Sequence, residues 1–182
     1  MNRFEEIFKI LSSDSKDDKI KVLESLSQVN NSEIIRKIIS KLDDPEIAVR
    51  GEAFSSLLLN ENKISEFLIQ SLRTVNKNIK AFLVLVLAYR EDRDAIPDLE
   101  LLTKDPSSMV RSCALGGLGY LCSSQSSSII RNCFEDEALQ VRKSALEAFF
   151  KIGGQILPNE LEMLTNDADD ALKFLIKNFK KI

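Results

Sequence analysis

With no histidine and no tryptophan among its 182 residues, the chain is left with cysteines, carboxylates, lysines and tyrosines for any chemistry. Lacking an imidazole, it cannot build a Ser–His or Cys–His nucleophile, an imidazole base or a His-ligated metal site. Cys113, Cys122 and Cys133 are odd in number and form no CxxC pair, which fits small buried, reduced thiols better than a disulfide framework. Carboxylates cluster at Asp17-Asp18, at Asp43-Asp44 and at Asp167, Asp169 and Asp170. Such groups can hold a hard cation. Here each cluster lies at a turn or a helix start, where capping and the helix dipole account for it. Gly116-Gly117-Leu118-Gly119 suggests a phosphate loop, but no strand precedes it and no Lys-Ser or Lys-Thr follows. It reads as part of a helix, its glycines serving close packing or an opening for a ligand. Ser123 to Ser128 reads as a turn and helix start. No catalytic, metal or cofactor constellation emerges.

The elements that would carry these residues repeat. An Asp is followed five residues later by an aliphatic residue and then a cation, in Asp44…Val49-Arg50, Asp105…Val110-Arg111, Asp136…Val141-Arg142 and Asp167…Leu172-Lys173. Thr74…Ile79-Lys80 is a copy without the Asp. Val49, Ile79, Val110, Val141 and Leu172 are separated by 30, 31, 31 and 31 residues. Four residues on stand Ala53, Leu83, Ala114, Ala145 and Ile176, and eight on stand Leu57, Leu87, Leu118 and Phe149. These offsets define one helix face. A second set, Ile38, Leu68, Leu99, Ile130 and Leu161, runs upstream with partners Leu42, Leu72, Leu102, Phe134 and Leu164. Each repeat is therefore two amphipathic helices. Asp44, Asp105 and Asp136 are expected to cap the second helices, with Pro45 and Pro106 at the first helical position. Asn30 to Ser32, Asn60 to Asn62 and Gly153-Gly154 punctuate the links. Five units are in phase. Residues 3–29 form a sixth whose register is open between Asp17…Val22 and the pair Ile20-Lys21.

The expected organisation is one domain over residues 1–182, with units at roughly 3–29, 31–60, 61–90, 92–122, 124–153 and 155–182. Lys plus Arg is 25 and Asp plus Glu 28, so the net charge of −3 weighs against a partner made of nucleic acid. No apolar run reaches the length of a membrane span, and no signal peptide is recognisable. A cytoplasmic protein is expected.

The segments DPEIAVRGEA (44–53), DPSSMVRSCALGGLG (105–119) and DEALQVRKSALEAF (136–149) resemble HEAT repeats, in particular the short variety also found in phycobilisome-lyase-like proteins. The resemblance runs from about residue 31 to 176. It implies an all-α chain, an α-α superhelix of about six helical hairpins, with second helices on the concave side. It further implies a ladder of Asp and cations tying successive turns. By position the ladder is Asp44, Asp105, Asp136 and Asp167 with Arg50, Lys80, Arg111, Arg142 and Lys173. The same cations could be an anion-binding stripe, but each has an acid at hand. Deoxyhypusine hydroxylases resemble this architecture and need His–Glu metal ligands, which this chain lacks. HEAT-like alkylpurine DNA glycosylases work in a strongly basic groove, which the acidic balance does not suggest. Bilin lyases share the repeat type, and no separate marker of tetrapyrrole binding stands out.

Residues five, six and nine beyond the anchors carry more apolar surface than a core requires: Phe54, Leu58, Val84, Leu85, Leu115, Leu146 and Phe150. They are the candidate partner-binding residues of an apolar groove for a peptide or helix. The alternative is that they pack between neighbouring second helices. The functional expectation is a non-enzymatic scaffold or adaptor with a protein partner. A lyase-like enzyme or small-ligand carrier, and a nucleic-acid-binding protein, remain the other classes.

Overall fold

A computed structural model describes residues 3–74, 76–165 and 168–179. Among them there are twelve α-helices in six consecutive pairs and no strand. Contacts group the chain into two compact units, Met1–Ala95 and Ile96–Ile182. The N-terminal unit holds α1 (Arg3–Leu11), α2 (Lys16–Glu24), α3 (Ser32–Ser40), α4 (Ile47–Leu58), α5 (Ser65–Ser71) and α6 (Lys77–Tyr89). The C-terminal unit holds α7 (Ile96–Leu102), α8 (Ser108–Tyr120), α9 (Ser127–Asn132), α10 (Leu139–Lys151), α11 (Pro158–Thr165) and α12 (Asp170–Phe179).

The apolar columns are the core of each unit. Ala53, Leu57, Leu83 and Leu87 are fully buried in the first, as are Ala114, Leu118 and Ala145 in the second. The upstream column follows, with Ile38, Leu68, Leu99 and Ile130 all closed to solvent. Ile79, Leu102 and Leu161 are only half-buried. An amphipathic hairpin of this length is not stable alone, so burial comes from stacking one pair on the next.

The starts of the second helices differ from expectation. Asp44, Asp105 and Asp136 are not N-caps, and Pro45 and Pro106 are not inside the helices, which begin at Ile47, Ser108 and Leu139. Each carboxylate instead spans the turn and accepts the N–H two residues on, Glu46 at 3.1 Å, Ser107 at 2.9 Å and Ala138 at 2.9 Å. The Asp itself is extended and ends the preceding 3-10 turn, at φ −63, ψ 141 for Asp44 and φ −60, ψ 139 for Asp136. A following proline favours this at Asp44, but Asp136 adopts it before Glu137 without one. True side-chain caps occur at Asn31 and Asn76, whose amide oxygens accept two backbone N–H groups each.

The ends of three second helices repeat as well. Glu91, Cys122 and Gly153 sit 31 residues apart with φ of 57, 49 and 80. The next N–H in each case reaches back to Leu87, Leu118 or Phe149 at 2.8–3.0 Å, the Schellman arrangement. Of the three, only Gly153 is the residue type this backbone prefers. Glu91→Gly and Cys122→Gly are each expected to stabilise the fold by about 0.5–1 kcal/mol, since the left-handed penalty exceeds glycine's entropy cost. Thermal unfolding of the two variants checks this, and a lowered midpoint would count against it.

Candidate interaction face

The cation row is built into the turns. Arg50, Arg111 and Arg142 each donate from Nη1 to the carbonyl of the Asp six residues earlier, at 2.8, 3.0 and 2.8 Å. Arg111 also forms a bidentate pair with Asp136 in the next turn, both contacts 2.8 Å. Lys19 bonds Asp44 at 3.1 and 3.2 Å with the same offset of 25 residues. The register of the first repeat is therefore neither Asp17…Val22 nor Ile20-Lys21: Lys19, 31 residues before Arg50, is its ladder cation. At the Thr74 copy the rung is replaced. Asp43 accepts from the Asn76 and Asn78 amides at 2.5 and 2.6 Å, while Asn76 caps α6 with its other amide atom. Lys80 is half-buried, Asp105 buried and Lys173 exposed, and Asp167 lies outside the described residues.

These carboxylates carry a pH signature. The Asn78 and Asn76 amides hold the Asp43 carboxyl below its ordinary value. For Asp44, burial alone would raise it, but the Glu46 N–H and the Lys19 and Lys41 ammoniums outweigh that and lower it. A carboxyl lowered by folding stabilises the fold above its unfolded value, near 4, and that contribution is lost as pH falls through the folded value. Stability should therefore drop on acidification below about pH 4. Asp44→Asn should be less stable at neutral pH and show a shallower acid dependence, measurable by urea unfolding between pH 3 and 7.

The seven candidate partner-binding residues divide. Val84, Leu115 and Leu146 are 0% exposed and belong to the core, which corrects their assignment to an open groove. In the C-terminal unit the cause is close packing. A Cβ built on Gly119 would lie 2.8 Å from Ala148 Cα, so α8 and α10 nearly touch and their flanks are sealed. Phe54, Leu58, Leu85 and Phe150 are half-exposed. In the N-terminal unit Phe54 is too large for the same position and lies edge-on to Phe82 at 6.2 Å and to Tyr89 at 6.3 Å. Tyr89 (47% exposed) extends this patch, while Leu59 (62% exposed) lies about 140° around α4 from Phe54, on the flank of Glu52. Neither Phe82 nor those two stood out in the sequence. The signal was there, because Leu59 and Tyr89 continue the second-helix columns by one more position, 30 residues apart.

The chemistry elsewhere is subdued. Cys133 is buried, Cys113 half-buried and Cys122 exposed, so the expectation of buried thiols fails for Cys122, which sits at a helix end. Burial pushes the Cys113 and Cys133 thiols up, away from the nucleophilic thiolate. Gly116 is exposed with open space around it, while Gly119 serves packing. Among the described residues no three acids or cysteines gather as metal ligands. Among the same residues no helix is long and apolar enough to cross a membrane.

Residues 65–150 match the family described as HEAT repeats. No curated protein matches the chain. Among solved structures, the chain resembles the CpcE–CpcF complex of phycocyanin lyase from Nostoc sp. PCC7120, with 18% identity, TM-score 0.56 and coverage of 97% of this chain and 75% of that one. Computationally designed armadillo repeat proteins for modular peptide recognition align at 17% identity and TM-score 0.54, over 94% of this chain and 96% of theirs. An engineered protein aligns at 15% identity and TM-score 0.53, over 97% and 94%. At such identities the likeness is one of fold. Residues 65–150 are thus similar to HEAT repeats, and helix pairs at a 31-residue period, their buried columns and these structural likenesses give the chain a helical-solenoid fold.

Proposed function

We propose that the chain is a non-enzymatic scaffold or adaptor, acting as a single repeat domain over residues 1–182 in the cytoplasm. It takes a peptide or helix of a protein partner on its second-helix face, the concave side in HEAT-type stacks. The observation that carries this is the apolar patch of Phe54, Leu58, Phe82, Leu85 and Tyr89, more than solvation of a lone repeat face calls for. The fold likeness to designed peptide-recognition repeats supports the same use of the surface. The likeness to a phycocyanin lyase complex, at 18% identity, is of the fold.

The test is affinity capture followed by quantitative binding of the captured partner. Leu58→Ser with Leu85→Ser should weaken the partner at least tenfold while the thermal midpoint moves by only a few degrees. Binding that survives both substitutions would place the partner elsewhere. A tetrapyrrole retained through purification would favour the ligand-carrier class instead.

A further inference from the structure

The patch on α4 and α6 has an acidic counterpart across α4. Around a helix, residues 51 and 55 share a direction, with residue 52 about 100° to one side of 51 and residue 54 about 60° to the other. Val49, Ala53, Ser56 and Leu57 are buried, so the Gly51–Ser55 ridge is the outward one. Phe54 leans toward α6, where it meets Phe82 and Tyr89. Glu52 leans toward α2, where Glu24 is the neighbouring charge; burial and Glu24 together push the Glu52 carboxyl up. Among the described residues neither acid has an ion-pair partner. The ridge between them is low. Gly51 is exposed, and a Cβ there would meet nothing within 4 Å.

We infer that this face binds an extended peptide segment that crosses α4 over Gly51, with an Arg or Lys between Glu24 and Glu52 and an apolar or aromatic side chain against Phe54, Phe82 and Leu85. Two like charges without a counter-ion are relieved by a cation from outside, which makes charge the selecting feature and the aromatic patch the anchor. The breadth of one helix, about 10 Å, separates the two subsites. At about 3.3 Å per extended residue, the cation and the anchor should lie about three residues apart in the ligand.

The inference rests on the peptide-binding reading above, and the experiment separates the two. A random dodecapeptide display library is selected against the full chain, and enriched peptides are synthesised and titrated by fluorescence anisotropy. The expected motif is Arg or Lys two to four residues from Phe, Leu, Ile or Trp. Glu24→Gln with Glu52→Gln should weaken these peptides at least tenfold. Gly51→Leu, whose Cβ would meet nothing within 4 Å, fills the crossing point and should do the same with the fold intact by circular dichroism. Enriched peptides without a basic residue, or affinities unmoved by the two Gln substitutions, would overturn the charge assignment. If Leu85→Ser still abolished binding in that case, the partner-binding face would stand. No enrichment, or binding indifferent to both Leu85→Ser and Gly51→Leu, would overturn both.

Discussion

Asp136→Ala is expected to destabilise the C-terminal unit by about 3–5 kcal/mol, the cost of removing one partner of a buried ion pair. Arg111 is 8% exposed. Its Nε and Nη2 both meet the Asp136 carboxylate at 2.8 Å, and its Nη1 is bound to the Asp105 and Pro106 carbonyls. Alanine at 136 leaves a guanidinium held in the turn with the exposed Glu137 carboxylate at 3.4 Å in place of the bidentate pair. It also frees the Ala138 N–H that the same carboxylate accepts. Adding Arg111→Leu should recover part of the loss, because the stranded charge goes with it and an apolar side chain takes its place. Denaturant unfolding of the two single variants and the double variant measures this coupling. Strict additivity, or a loss under 1 kcal/mol for Asp136→Ala, would show that the rung does not hold the repeats together.

That rung also shows what the sequence discloses and what it withholds. The columns at 49, 53 and 57 and their copies were legible because burial in a stacked hairpin repeats whatever the neighbours are. So was the pairing of Asp with a cation. Lys19 was not, because Asp18 stands in the place of the aliphatic anchor and breaks the local pattern, although its distance from Arg50 equals the period. The Asp43 substitute rung was hidden for a different reason: it joins residues 33 and 35 apart rather than 25, so no copy elsewhere in the chain announces it.

The candidate face was half legible for a similar reason. Phase alone places Phe54, Val84, Leu115 and Leu146 in one column. Whether that column is open depends on how close successive helices come, which is set by residues in other columns. Phe54 stays half-exposed beside Phe82, whereas Leu115 on α8 is shut in where α8 and α10 approach closely, and Leu146 is buried as well. Side-chain volume at the helix crossing, rather than periodicity, decides which faces remain available to a partner.

Two glycines three residues apart on α8 make that point testable with opposite signs. At Gly116 a Cβ meets nothing within 4 Å, and the position is exposed. Alanine there should stabilise by about 0.5–1 kcal/mol, since glycine in a helix interior costs about that much relative to alanine. At Gly119 the added Cβ would lie 2.8 Å from Ala148 Cα and 3.0 Å from its Cβ. The obstacle is backbone, which cannot swing aside, so α8 and α10 must separate. Separation opens the packing around Leu115 and Leu118 of α8, both fully buried. Overpacking of this kind costs about 1–3 kcal/mol, enough to outweigh the gain in helix propensity. Gly119→Ala should therefore destabilise by about 1–2 kcal/mol, and Gly119→Leu by about 3 kcal/mol. Thermal unfolding of Gly116→Ala and Gly119→Ala side by side should move the midpoint in opposite directions. A shift of the same sign for both would mean that α8 and α10 are not held together at Gly119. The burial of Leu115 on α8 would then need another cause.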